Sequence, residues 1–277
     1  MMEAKIRKPA VAGSFYAGDA KELRQDVQNC FSRCKNPLME NVQAVIVPHA
    51  GYVFSGVTAA SAFAAINPDA EYEHIFLLGP SHHVYLGKAS VNTGASAYAT
   101  PLGNVPVDTA LCKDLMEKSD AITYAQEAHE SEHCLEVELP FLQYHMKKLP
   151  SIVPIIIATQ ELTTLKKIAD TLKPYLNEKN LFVISSDFSH YPAYKDAEIV
   201  DGLTKDSIMT GKVEAFVNAT LHNQELGIDH LATSACGMAP IATLLMMTEN
   251  ESNIKPHHVM YCNSGDSPYG GKDKVVG

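Results

Sequence analysis

The 277-residue chain has no run of about 18 consecutive apolar residues, which leaves it without a transmembrane helix candidate. Its first residues, MMEAKIRKPAVAGSFY, lack the long apolar core of a signal peptide. Positive charge is in short supply: 22 Lys and Arg stand against 32 Asp and Glu, a formal net charge of −10. That balance disfavours nucleic acid and an anionic membrane as general partners. The six cysteines, Cys30, Cys34, Cys112, Cys134, Cys236 and Cys262, form no CxxC pair and no compact framework. Such scatter excludes a disulfide scaffold and reads as reduced thiols in a cytoplasmic protein. There is no internal repeat, low-complexity tract or Gly/Ser-rich linker, so one domain over residues 1–277 is expected.

What is present is an ordinary globular balance, 46% hydrophobic and 19% charged, in a chain long enough to bury a sizeable core. Short apolar, β-branched runs at 44–48 (AVIVP), 75–79 (IFLLG), 152–158 (IVPIIIA) and 181–186 (LFVISS) predict strands. They are continuous rather than alternating, as strands covered on both faces are. Between them, 55–66, 162–176 and 239–247 carry helical patterning. Strands alternating with helices predict an α/β domain with a mainly parallel or mixed sheet. The closing GDSPYGGKDKVVG is turn-rich and then starts what reads as one more strand, so the chain is expected to stop just short of it.

Twelve histidines make metal or acid–base chemistry the first thing to test. In open α/β sheets, functional groups collect beyond the carboxyl ends of the strands. One strand runs into VPHAGYVFSG and delivers His49; another runs into GPSHH and delivers His82 and His83; a third runs into ISSDFSHYP and delivers Asp187 and His190. A lone histidine at a strand end is more often structural than catalytic, but three at corresponding positions point to a shared site. Cys236, in HLATSACGMAPIATLLMM, falls at the start of an apolar helix, where a thiolate is favoured by unpaired amides and the helix dipole. The plainer reading is a small buried hydrophobe. In EAHESEHCLEVELPFL, a helix over 132–142 would set His133 and Glu136 on one face, as a metal or acid–base pair or as an ordinary solvated salt bridge.

Together VPHAGYVFSG, LLGPSHH, EHCLEVELPFL, SSDFSH and SACGMAPI, with KPAVAGSFY near the start, resemble the Memo family from about Lys8 to the C-terminus. Its microbial members are also called the B component of the AmmeMemoRadiSam system. The resemblance implies a fold similar to the extradiol dioxygenases, with a central mixed sheet flanked by helices on both faces. It implies a metal site at His49, His82 and Cys236, the cysteine standing where those dioxygenases use a glutamate. His190 matches their acid–base histidine, with Asp187 beside it, and His133 matches the histidine of a Glu-His-Ser-Leu-Glu motif in which Cys134 replaces the serine here. Neighbours in an extended segment point to opposite sides, so His82 is expected to face the pocket and His83 to fix the loop or bind a carboxylate.

The likeness to iron dioxygenases implies iron(II) first, and two imidazoles with a thiolate would also hold copper(I) or zinc. The function so implied is a metal-dependent oxidoreductase of dioxygenase-like design. The alternative is a non-catalytic metal-binding, redox or protein-interaction module, and a cofactor-free hydrolase with Cys236 as nucleophile ranks last. Whether the chain is an enzyme is left open. Expected partners are a small molecule or peptide, and the radical SAM and AMMECR1-like components of the same system.

Overall fold

The computed structural model describes residues 5–34 and 38–277. The described chain opens with a two-residue strand, β1 (Ile6–Arg7), and then a helix, α1 (Ala20–Ser32), which starts where the Asp19 carboxylate accepts from the amides of Lys21 and Glu22. There follow β2 (Ala44–Val47), α2 (Tyr52–Ala64), β3 (His74–Pro80), β4 (Lys88–Val91), β5 (Ala97–Thr100) and β6 (Gly103–Pro106). Next come α3 (Thr109–Lys118), β7 (Ile122–Thr123) and α4 (Glu127–Glu130). A 3₁₀ turn at Glu136–Glu138 leads into α5 (Leu139–His145). The chain is completed by β8 (Ile152–Ala158), α6 (Leu162–Leu172), β9 (Asn180–Ser185), α7 (Tyr194–Met209), α8 (Val213–Glu225) and α9 (Met238–Thr248).

Six strands form the central sheet in the order β2-β9-β3-β8-β4-β7. β2, β9, β3 and β8 run parallel to their neighbours, β4 is antiparallel to β8, and β7 is parallel to β4. This is the mixed, mainly parallel sheet the sequence predicts. β8 and β9 are buried along their whole length, and β3 is buried after His74. That is why their sequences read as unbroken apolar runs. α1, α2 and α5 pack on one another over one face, while α6, α8 and α9 pack over the other. Pro154 sits inside β8 without breaking it, because its neighbour Asn92 lies just past the end of β4 and donates its amide to the Pro154 carbonyl. No helix among the described residues is long and apolar enough to cross a membrane.

Three features depart from the sequence reading. A second sheet, β1-β5-β6, docks beside the first without any conspicuous apolar run to announce it. The strand expected at the chain's end is a single bridge between Val276 and His190. The helix expected over 132–142 begins only at Leu139, and His133 lies in the irregular segment before it. Pro140 is well placed in a first helical turn and poorly placed further in.

Glu136 is drawn inward instead and is fully buried. It binds the Arg7 guanidinium and accepts from the amides of Ala10 and Val11 at 2.7 and 3.0 Å and from the Tyr16 hydroxyl at 2.6 Å. Arg7 also donates from Nε to the His129 carbonyl, and from its other terminal nitrogen to the Glu132 carbonyl. So Glu136 pairs with Arg7 and not, as the helical spacing suggested, with His133. A second buried carboxylate, Asp201 on α7, holds the amide and hydroxyl of Ser189 and the hydroxyl of Tyr261. Burial outweighs those bonds and pushes its pKa up to about 6.

Both carboxylates give measurable expectations. Arg7→Met leaves Glu136 charged and unpaired in the core, and should cost about 3–5 kcal/mol in urea unfolding at pH 7. Adding Glu136→Gln should recover a substantial part of that loss. Asp201 binds a proton more tightly when folded than when unfolded, so its contribution is favourable below about pH 4 and lost as pH rises to about 6. Relative to Asp201→Asn, the wild type should lose on the order of 3 kcal/mol across that window. A flat difference between the two proteins would show that Asp201 titrates normally.

Candidate metal centre

His49 follows β2 by two residues, past Pro48, and is buried. Its amide and that of Ala50 donate to Asp187 Oδ1 at 2.8 and 3.2 Å, so the carboxylate fixes the turn that carries the ring. The ring's Nδ1 lies 2.7 Å from Ser185 Oγ at the end of β9. Ser185 has one proton, and it lies 2.8 Å from the Cys134 carbonyl, which can only accept. His49 must therefore donate from Nδ1, leaving the Nε2 lone pair free. The third neighbour of Ser185 Oγ is Glu138 Oε1 at 3.0 Å. Burial raises the Glu138 pKa well above its ordinary value.

The second ring is held in the same way. Glu132, nearly fully buried, accepts the His82 amide at 2.7 Å on Oε2 and His82 Nδ1 at 2.9 Å on Oε1. Oε1 also takes the amides of His133 and Cys134 at 2.9 and 3.1 Å. Burial alone would raise the Glu132 pKa, but the His82 ring and these amides reverse it and hold the carboxyl well below its ordinary range. Burial likewise works against protonation of His82, yet the Glu132 bond and charge win, and its pKa is raised. Nδ1 is thus engaged and Nε2 faces the pocket. His83 is exposed, and its Nε2 meets the Ser131 carbonyl at 3.1 Å, fixing the loop, while a ring nitrogen stays within 4.8 Å of donor atoms of Glu132 and His133.

Cys236 Sγ sits 3.3 Å from His49 Nε2. It is placed by a reciprocal pair in which the Cys236 amide donates to the Asp187 carbonyl at 3.2 Å and the Asp187 amide points at the sulfur from 3.3 Å. The following Gly237 lies so close to Ser186 and the Ser185 carbonyl that any Cβ would collide with them. α9 begins at Met238, so Cys236 precedes the helix rather than occupying its first turn. That difference matters electrostatically. Burial, reinforced by the Asp187 carboxylate, pushes the thiol pKa up, and neighbouring amides do not overcome it. Helix position alone therefore does not make this cysteine a thiolate; a nearby cation would have to.

The donor atoms of His49, His82 and Cys236 all lie within 4.8 Å of one another, and so do those of Asp187, His190 and Cys236. His190 is half-buried, and its Nε2 has no hydrogen-bond partner among the described residues, 4.0 Å from Asp187 Oδ2. Burial lowers its pKa, partly offset by Asp187, whose own pKa burial raises. His133 stacks on His82 at 4.9 Å and meets His49 at 5.5 Å between ring centroids, with Phe15 edge-on at 4.8 Å. Burial and the adjacent His49 push its pKa down to about 4, while burial takes His49 itself down to about 3. The structure thus brings all six sequence-selected residues to one place.

Sequence reasoning passed over four residues that shape this site: Glu132, Ser185, Glu138 and Phe15. Glu132 carried the clearest signal, since it directly precedes His133 in EHCLEVE. Gly79, at the end of β3, has a related role: a Cβ there would strike Cys134 and Leu135, so only glycine lets the 132–138 segment lie over the strand end.

A mainly parallel α/β sheet whose strand ends converge on imidazoles, carboxylates and a thiol gives the chain a candidate metal pocket, on a fold consistent with the extradiol-dioxygenase-like one that the resemblance implied. The family model described as Memo-like protein matches residues 7–277. The chain is similar to "MEMO1 family protein" sequences from several archaea. That of Aeropyrum pernix is 35% identical, covering 99% of this chain and 98% of its own length. Those of Nitrosopumilus maritimus and Sulfurisphaera tokodaii are 32% and 31% identical, each covering 98% of this chain and 97% of its own length. The chain belongs to the Memo family.

The hydrogen-bond assignment can be checked by ¹⁵N NMR of the imidazoles at pH 8.5. His49 and His82 should both carry their proton on Nδ1. In Glu132→Gln, His82 should lose that preference while His49 keeps it. A wild-type His82 protonated on Nε2 would overturn the assignment.

Proposed function

We propose that His49 Nε2, His82 Nε2 and Cys236 Sγ together hold a non-haem metal ion, and that the protein is a metal-dependent oxidoreductase of dioxygenase-like design. The observation that carries this reading is the set of three donors within 4.8 Å, two of them imidazoles whose other nitrogen is already engaged. The 3.3 Å between His49 Nε2 and Cys236 Sγ matches two donors on one ion with bonds of about 2.0–2.3 Å. The likeness to iron dioxygenases puts iron(II) first, and two imidazoles with a thiolate equally suit copper(I) or zinc.

When bound, such an ion supplies a Lewis-acidic centre with open positions for substrate and oxygen. The chain's own residues do the rest. Glu132 and Ser185 orient the two rings, as partners behind metal-ligating histidines do. His190, neutral at pH 7, takes up or gives a proton at Nε2, and Asp187 steadies the charged form. His133 and Phe15 form one wall of the pocket and restrict water. A second reading, metal or redox handling without turnover, draws support from the thiol donor and from Cys134, a second buried thiol beside Glu132. In either case the proposed setting is the cytoplasm, acting with the radical SAM and AMMECR1-like components of the AmmeMemoRadiSam system on a small molecule or peptide.

Elemental analysis of protein purified without air or chelator tests the metal site. Near-stoichiometric iron or copper is expected. The ion should be lost in His49→Ala/His82→Ala, bound at least about tenfold more weakly in Cys236→Ser, and retained in His83→Ala. No uptake of iron(II), copper(I) or zinc by the wild type would sink the proposal. Equal loss in His83→Ala and Cys236→Ser would sink the choice of ligands.

A further inference from the structure

Glu132 meets the His82 ring at Nδ1, and around the same carboxylate a second set of donors gathers. A ring nitrogen of His83, a carboxylate oxygen of Glu132 and a ring nitrogen of His133 all lie within 4.8 Å of one another. Glu132 and His133 are neighbours just before the 3₁₀ turn, and the loop after β3 brings His83 to them. The His83 ring is held there by the Ser131 carbonyl, 3.1 Å from Nε2. His133 Nδ1 lies 3.4 Å from Glu132 Oε1. Its ring is fixed by His82 and Phe15, at 4.9 and 4.8 Å between centroids. Both rings are thus in place before any ion arrives, which lowers the cost of ordering them around one.

The carboxylate is what calls for a cation. Glu132 is 3% exposed, yet no Lys or Arg side chain lies within ion-pair distance of its carboxylate among the described residues. Its side-chain partners are the imidazoles of His82 and His133, whereas buried Glu136 has a guanidinium. A buried carboxylate is ordinarily paired with a full positive charge. Oε1 takes the His82 ring and two amides, but Oε2 accepts only the His82 amide and keeps a lone pair. The Cys134 thiol also comes within 4.8 Å of Glu132 and His82 and is the poorer donor. It is fully buried, it donates to the Pro80 carbonyl at 3.3 Å, and burial pushes its pKa far up. His83 is exposed, so a hydrated ion reaches it from solvent without unpacking the core.

We infer that His83, Glu132 and His133 form a second, outer metal site, which takes a hydrated zinc ion. Two imidazoles and a carboxylate are a harder set than the two imidazoles and thiol of the inner pocket. They suit zinc or iron(II) and disfavour copper(I). Three protein donors leave the remaining positions to water, and the exposed His83 makes the outer ion the readily exchanged one. The two sites share no ligand, so the inference does not rest on the metal reading of the pocket. They are joined through Glu132, which binds the outer ion and also holds His82 Nδ1. Where the pocket holds an ion too, the outer cation draws charge away from the His82 bond and weakens the inner ion. Linkage requires the inner ion to weaken the outer one by the same factor.

The test is a calorimetric titration with zinc of the full chain carrying His49→Ala/Cys236→Ser, which removes inner donors and leaves the outer set whole. One equivalent should still bind. Adding His83→Ala should weaken it at least about tenfold with an unchanged circular dichroism spectrum. His257→Ala/His258→Ala, a pair of exposed histidines outside the set, should leave it as it was. Cobalt(II) in place of zinc should give no thiolate charge-transfer band, since no sulfur is bound. Should the double variant misfold, wild-type protein preloaded with copper(I) takes its place, and the further zinc it binds must be lost in His83→Ala. Three results overturn the inference: no zinc bound at millimolar concentration, binding that His83→Ala leaves unchanged, or a cobalt–thiolate band in the double variant. The last would assign the ion to Cys134. A pocket that holds no ion would leave these results untouched, because the variant lacks His49 and Cys236.

Discussion

The buried pair of Arg7 and Glu136 holds together the parts from which the site is made. Both groups are out of water, and each is saturated: Glu136 by Arg7, two amides and the Tyr16 hydroxyl, Arg7 by Glu136 and two carbonyls. Such a pair costs desolvation to bury, and its value lies in geometry. It ties the opening KPAVAGSFY stretch to the segment 132–138, which has only one 3₁₀ turn and no strand ladder to give it shape. Glu132 and Glu138 lie in that segment, and they orient His82 and, through Ser185, His49. Arg7, far from the pocket in sequence, thereby helps set the direction of two imidazoles.

The electrostatics of the pocket follow from burial. It drives His49 and His133 well below their ordinary pKa and raises the thiol of Cys236. What remains near neutral pH is a pocket in which the His49 and His133 rings are uncharged, with the ionised Glu132 beside His82, whose pKa it raises, on one side and Asp187 on the other. An ion placed there would offset the two carboxylates and, by the same field, draw the proton from the thiol. The histidines and the cysteine are therefore coupled to one another through what they would share.

The buried strands were legible because β3, β8 and β9 are covered on both faces and carry almost nothing but apolar residues. β1, β5 and β6 were not, since IR, AYAT and GNVP carry no pattern that sets them apart from loop. The 132–142 stretch misled for a definite reason. His-x-x-Glu spacing fits a helix, but the spacing cannot reveal that Arg7, about 130 positions away, claims the glutamate. Cys236 was placed one turn too far into α9 because an apolar pattern does not mark where the first hydrogen-bonded turn closes.

Taken alone, the sequence determined the class of fold, the family, and which histidines, carboxylate and thiol stand at the strand ends. It could do so because apolar runs and short motifs are local, and local pattern survives without coordinates. Which nitrogen of each ring carries the proton, and that Glu136 pairs with Arg7 and not with His133, were decided only by the tertiary structure. Each depends on a partner distant in the chain (Glu132, Ser185, Arg7) whose choice is made by packing and by the need to satisfy every buried polar group.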